Sequence, residues 1–274
     1  MITLEAVSKS YDKTPLLKNI SLHIAAGERV SLLGPGGCGK STLLKIILGL
    51  TPPDSGQVKL LDCDMIKSRS KVRQSTLRKV GMAFQQGALF DFMTVEENLN
   101  FAMEHMTRMS PSEMSETIEE LLKTVKLPRT RRMYPHELSG GMKRRIGIAR
   151  ALATKPIVSI FDEPTSGLDP VTSTIILNMI HALGGEDAKN TMMIATSSVE
   201  IAIRFAQRVI LLNEGCIVGD GSWKDLILHG SPWVQHFLSV RLIGIDIEYA
   251  RELQLPEAFI QKHWSPESSS ALHP

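Results

Sequence analysis

Gly34-Pro-Gly-Gly-Cys-Gly-Lys-Ser41 is a complete G-x-x-x-x-G-K-S phosphate loop, and its flanks decide the fold. The apolar run Arg29-Val-Ser-Leu-Leu33 stands directly before it and predicts a strand. The periodic run Thr42-Leu-Leu-Lys-Ile-Ile-Leu-Gly-Leu50 stands directly after it and predicts a helix. In that setting the glycines let successive backbone N–H groups turn inward as an anion nest, and the helix N-terminus adds its partial positive charge. Lys40 reaches the β- and γ-phosphates, and the Ser41 hydroxyl is a Mg²⁺ ligand. Gly34, Pro35, Gly36, Gly37, Cys38, Gly39, Lys40, Ser41 and Thr42 are therefore the candidate nucleotide-binding residues.

Further along the chain, Ile157-Val-Ser-Ile-Phe161 reads as a strand buried on both faces of a parallel sheet, and it ends on Asp162-Glu163. Two carboxylates at a strand end suit two roles. Asp162 would organise Mg²⁺, and Glu163 would orient or deprotonate a water in line with the γ-phosphate. A second anion-binding helix start appears at Leu138-Ser139-Gly140-Gly141-Met142. One nucleotide has no use for two such helix ends. The economical reading is a head-to-tail pair, in which Ser139, Gly140 and Gly141 of one copy cap the phosphate held by the other.

Working outward, Ile2–Val7 and Ile20–Ile24 alternate as antiparallel strands do before a turn at Ala26-Gly27, and Gln57–Leu61 predicts another strand. From about Gly87 to Thr154 helical spacing takes over, with a helix from Pro111 to about Val125, which reads as an inserted helical subdomain. The expected class is α/β, a P-loop core with an antiparallel β subdomain. Composition narrows function: 31 Lys and Arg against 29 Asp and Glu leave a net charge of +2 over 274 residues. That balance argues against a nucleic-acid binder that works by neutralising many phosphates. No apolar run approaches the roughly 18 residues that span a bilayer. Three cysteines without metal-ligand spacing fit reduced thiols.

With the phosphate loop, Ser139-Gly140-Gly141 and Asp162-Glu163 in this order, the chain resembles the ATP-binding subunits of ABC transporters over residues 1 to about 240. The resemblance implies ATP and Mg²⁺ as ligands and ATP hydrolysis as the activity. It matches Tyr11 to the aromatic residue that stacks on adenine, and Gln85 to the Q-loop glutamine that touches Mg²⁺, with Gln86 beside it as the neighbour to be told apart. It also matches Ser166-Gly-Leu-Asp169 to the loop that crosses the dimer interface. Phe84–Leu99 and Leu138–Arg145 are similar to the Mla-type, MCE-associated branch, which implies phospholipid transport between bacterial membranes. The implied partners are a second copy, an MlaE-like membrane permease, a small regulatory subunit and an MCE protein. The implied location is the cytoplasmic face of the inner membrane. The alternatives are an ABC ATPase for another substrate, or an ATP-gated clamp with little hydrolysis.

The last alternative has a specific motive. After Thr191-Met-Met-Ile-Ala195 the family places a histidine against the γ-phosphate, and here the chain reads Thr196-Ser197-Ser198. Ser197 fills that slot, so hydrolysis is expected to be slow. Residues 241–274 form a C-terminal extension. Ile243, Ile245 and Ile247 alternate as in a strand, and Leu253, Leu255, Phe259, Ile260 and Trp264 require cover from a neighbouring subunit or from the same domain. Ser265 to Pro274 are expected to be disordered.

Overall fold

The computed structural model describes residues 1–85, 87–184, 190–242 and 247–263. Two sheets carry the chain. The first is antiparallel, in the order β2-β1-β4-β5, from β1 (Ile2–Tyr11), β2 (Thr14–Ile24), β4 (Ser55–Leu60) and β5 (Cys63–Asp64). The second runs β10-β9-β3-β8-β7-β6, from β3 (Arg29–Leu33), β6 (Val80–Ala83), β7 (Val158–Asp162), β8 (Thr191–Thr196), β9 (Arg208–Asn213) and β10 (Cys216–Ser222). Its neighbours pair in parallel except for β9 and β10, which form a hairpin. Every residue of β7 and of β8 is buried, as continuous apolar runs in a parallel sheet require.

The helix after the phosphate loop, α1, spans Lys40–Ile47 rather than Thr42–Leu50. Its first turn begins inside the loop itself, and the backbone leaves the helix before Gly49, whose φ is 67°. A short helix absent from the sequence reading, α2 (Ser70–Leu77), joins β5 to β6. The helical subdomain is built from α3 (Val95–Met106), α4 (Pro111–Thr124) and α5 (Gly140–Leu152). Thr94 with Glu97, and Ser110 with Glu113, close reciprocal capping boxes on α3 and α4, and Ser139 caps α5 through the Met142 amide at 3.3 Å. Val95, Leu99, Met103, Ile118, Leu122 and Ile146 form the shared core of these helices.

The chain continues through α6 (Pro170–Gly184), α7 (Val199–Phe205), α8 (Trp223–His229), α9 (Pro232–Leu242), α10 (Ile247–Glu252) and α11 (Glu257–His263). Of the strand expected across Ile243, Ile245 and Ile247, Ile247 instead begins α10, and 243–246 lie outside the described residues. Leu253, Leu255, Phe259 and Ile260 are buried in one cluster with Trp223, Val234 and Phe237 of α8 and α9 and Ala202 and Ile203 of α7. These tail side chains are thus covered by their own chain. Trp264 and Ser265–Pro274 lie outside the described residues, as does Gln86. No described helix is long and apolar enough to cross a membrane.

Candidate functional site

The phosphate loop joins the end of β3 to α1, so the parallel sheet aims it and the helix points its N-terminus into it. Gly39 carries the geometry. Its φ is 106°, and a Cβ there would lie 2.7 Å from Leu17 Cδ2, so both backbone freedom and lack of a side chain are required. Gly36 and Gly37 present open space on the same loop. Lys40 is buried, and its ammonium donates to the carbonyls of Gly34 and Pro35 at 2.9 and 3.0 Å. It also lies 3.3 Å from Glu163 Oε1. The loop's cation and the strand-end carboxylate predicted from separate motifs therefore meet.

Ser41 and Asp162, 121 residues apart, meet as well: Ser41 Oγ donates to Asp162 Oδ1 at 3.0 Å. Burial pushes the Asp162 carboxyl above its usual range, with the Ser41 hydrogen bond acting against it. A hydroxyl and a carboxylate converging next to a phosphate nest are hard oxygen donors suited to Mg²⁺. The described residues hold no cluster of three or more His, Cys, Asp or Glu, so a cation here would complete its shell from phosphate oxygens and water. The fit is that of a metal bound together with a nucleotide.

Glu163 has a φ of 45°, a left-handed conformation uncommon for a glutamate. Its amide donates to Ala195 O at 2.8 Å, which fixes this reversal against β8. The result is a carboxylate turned out of the line of β7 into a cleft shared with Ser166, Gly167, Thr196 and Ser197. Ser197 is exposed in that cleft. Its neighbours are committed elsewhere, since the Thr196 hydroxyl accepts from Ser198 N at 3.1 Å and the Ser198 hydroxyl caps Ile201 N at 3.3 Å. His181, the nearest imidazole after Asp169 in sequence, sits on α6 beside Arg29, 2.9 Å from its guanidinium. Burial, and then Arg29, push its pKa down.

Gln85 follows β6 and is exposed, with Nε2 at 3.5 Å from Ser166 Oγ. Tyr11 ends β1, 48% exposed, with the Lys9 ammonium 5.5 Å from its ring centroid. The ring thus has a free face, and β2 brings the same hairpin onto Gly39 through Leu17. Ser139 and Gly140 are exposed. Nothing lies within 4 Å of a Cβ at Gly140, and at Gly141 only Leu168 comes near, at 3.9 Å. With Ser139 and Gly140 exposed and open space over Gly140, this helix end is accessible to an outside anion. The sequence reading missed Arg144, which donates to the carbonyls of Gln85 and Ser166 at 3.0 and 2.6 Å.

The family profile described as ABC transporter matches residues 17–166. The arginine transport ATP-binding protein ArtM of Bacillus subtilis is 40% identical over 231 residues, 83% of this chain and 94% of that protein. The Arabidopsis thaliana chloroplastic protein Trigalactosyldiacylglycerol 3 is 36% identical over 259 residues, 89% of this chain and 75% of that protein. A solved dimer of the ATP-binding cassette MJ0796, in a post-hydrolysis state bound to ADP and Pi, superposes with a TM-score of 0.75 at 34% identity. That match covers 81% of this chain and 98% of the other. With the phosphate loop, the strand-end carboxylates and the inserted helices arranged on this fold, the chain belongs to the ABC transporter family.

Proposed function

We propose that this chain is the ATP-binding and ATP-hydrolysing subunit of an ABC transporter, acting as a head-to-tail pair. The observation that carries the reading is the convergence at one loop of Lys40, Glu163, Ser41 and Asp162. Residues 34–42 hold the triphosphate, and Tyr11 offers its free ring face to the adenine. Ser41 and Asp162, with Gln85, hold Mg²⁺, which neutralises phosphate charge when bound. Glu163 takes the proton of the attacking water, and Ser139, Gly140 and Gly141 of the second copy cap the γ-phosphate. Residues 1–240 form the cassette, with the helical subdomain over about 87–154, and residues 241–274 extend it.

The membrane permease meets the chain at an open apolar groove of about 410 Å³ between β6 and α3, lined by Leu50, Met82, Phe84, Phe90, Phe101 and Met106. Leu50 and Met106 are exposed there, a surface that a partner helix would cover. The chain then sits peripherally at the cytoplasmic face of a bacterial inner membrane. Relatives named for transport of arginine and glutamine and for import of methionine and sulfate favour a small polar solute as cargo. The phospholipid reading, with MlaE-like and MCE partners, is second. It is favoured by the Phe84–Leu99 and Leu138–Arg145 stretches and by the relative named for trigalactosyldiacylglycerol.

Lys40→Ala is expected to abolish tight ATP binding, and Glu163→Gln to retain binding while stalling turnover as an ATP-bound dimer. Wild-type affinity in the first, or undiminished phosphate release in the second, would remove these assignments. Purification of the assembled transporter from detergent-solubilised membranes, followed by identification of co-purifying chains and bound cargo, separates an amino acid or oxyanion from a phospholipid.

A further inference from the structure

Arg144 lies on α5, beyond the exposed helix start Ser139–Gly141, and is half-buried. Its Nε donates to Gln85 O at 3.0 Å and its Nη1 to Ser166 O at 2.6 Å. The two acceptors come from loops 59 and 22 residues distant in sequence. Ser166 N in turn donates to Glu163 O at 3.2 Å, so a short chain of hydrogen bonds runs from Arg144 to the backbone of the candidate base.

The same face of α5 lies hard against the Gln85 loop. A Cβ on Gly147 would stand 2.6 Å from Gly87 Cα, and one on Gly87, whose φ is 77°, would stand 2.7 Å from Lys143 O. Arg150 Nη2 donates to Gly87 O at 3.3 Å. Glycine on both sides permits a backbone-to-backbone approach, and two arginines fasten it. Arg144 differs from Arg150 in reaching a second loop. A planar guanidinium with a fixed fork of donors can hold two carbonyls at once, whereas the compact ammonium of lysine, on a flexible stem, lacks that fixed geometry.

We propose that Arg144 is a positioning residue for ATP hydrolysis, clamping the loops of Gln85 and Ser166 to the helix whose N-terminus caps a partner's γ-phosphate. The proposal rests on the head-to-tail reading given above. Engagement of the helix end by phosphate then fixes the two loops of the same chain, and each site of the pair is set by occupancy of the other. Loss of the clamp leaves the phosphate loop, Ser41 and Asp162 intact, so it acts on turnover and not on nucleotide affinity.

The test is Arg144→Lys, which retains the charge, beside wild type and Arg144→Ala in the full chain. Hydrogen exchange of peptides covering Gln85 and Ser166, measured with ADP, is expected to rise at both loops together in both variants. Turnover is expected to fall about 10- to 100-fold, the scale of a small misplacement of catalytic groups, with ATP affinity held within about twofold. The ATP-driven dimer is expected to form still when Glu163→Gln is combined with Arg144→Lys. Unchanged exchange at either loop, unchanged turnover, or affinity falling in step with turnover would overturn the proposal. A wild-type protein that binds ATP but neither dimerises nor turns over would sink the functional reading instead, and the exchange data would still decide whether Arg144 holds both loops.

Discussion

At Ser197 a hydroxyl stands exposed in the Glu163 cleft, at the position where the resemblance implies a γ-phosphate-facing imidazole. Donors aimed at charge developing in a transition state are worth about 10²- to 10³-fold in kcat. Serine is shorter than histidine and reaches a phosphate oxygen through a water, which transmits part of that interaction. Ser197→His is therefore expected to raise kcat of the assembled transporter, and Ser197→Ala to lower it only slightly, read by steady-state phosphate release. A large loss in the alanine variant with no gain in the histidine variant would make this serine a committed catalytic group. Cys38 permits a second prediction. Burial raises its thiol pKa above the usual value, with nearby Lys40 only partly offsetting this. The thiol is protonated at neutral pH, so alkylation by iodoacetamide should be slow at pH 7 and accelerate as pH climbs through and beyond 9, the thiolate being the nucleophile. Peptide mass spectrometry over that range checks it; fast labelling at pH 7 would contradict it.

The helical elements state their own boundaries. Ser110 accepts from Glu113 N at 3.4 Å while the Glu113 carboxylate accepts from Ser110 N at 2.7 Å, and Pro111 fills the first helical position. Ser110→Ala removes the first half of that exchange and should cost about 1 kcal/mol, read as a lower urea midpoint with an unchanged slope. A substitution without effect would show that α4 is held by its core face alone, through Met114, Ile118, Leu121 and Leu122. Pro111 at the first position and the helical spacing made α4 legible in the sequence, whereas the Ser110 cap emerged only in the structure. By contrast α2 buries only Thr76, so its eight residues carry no apolar period, and β6 is four residues long with a glycine within it. Among the candidate site residues, the convergence of Lys40, Ser41 and Asp162 was legible because each belongs to a local motif placed by a strand or helix end. The left-handed turn at Glu163 was not legible, because the carbonyl that receives its amide belongs to Ala195 on another strand. Arg144 was hidden for the same reason: one of the two carbonyls it holds lies 59 residues before it.

Over the whole molecule, the sequence announced that the C-terminal extension has apolar residues to cover but not whose surface covers them. Periodicity carries no label for intra- or intermolecular contact. In the structure Leu253, Leu255, Phe259 and Ile260 join Trp223, Leu226, Val234, Phe237 and Leu238 in one cluster, which continues through Ala202 and Ile203 of α7 to Val209 and Leu211 of β9. The tail is thereby part of the support behind the parallel sheet, and α7, which begins two residues after Ser197, is packed against the same cluster. Phe259 is 5% exposed, and removal of a buried phenyl ring costs about 3 kcal/mol. For a chain of this size that corresponds to a fall in Tm of about 6 to 12 °C. Phe259→Ala, and more severely truncation after Val240, should lower Tm by an amount that does not depend on protein concentration, because the lost contacts lie within one chain. Were the tail instead held by a neighbouring subunit, dilution would lower the wild-type Tm towards that of the truncated form, and the difference between them would vanish at low concentration. Calorimetric scans over a hundredfold range of concentration distinguish the two: a constant difference supports the intramolecular brace, and a vanishing one overturns it.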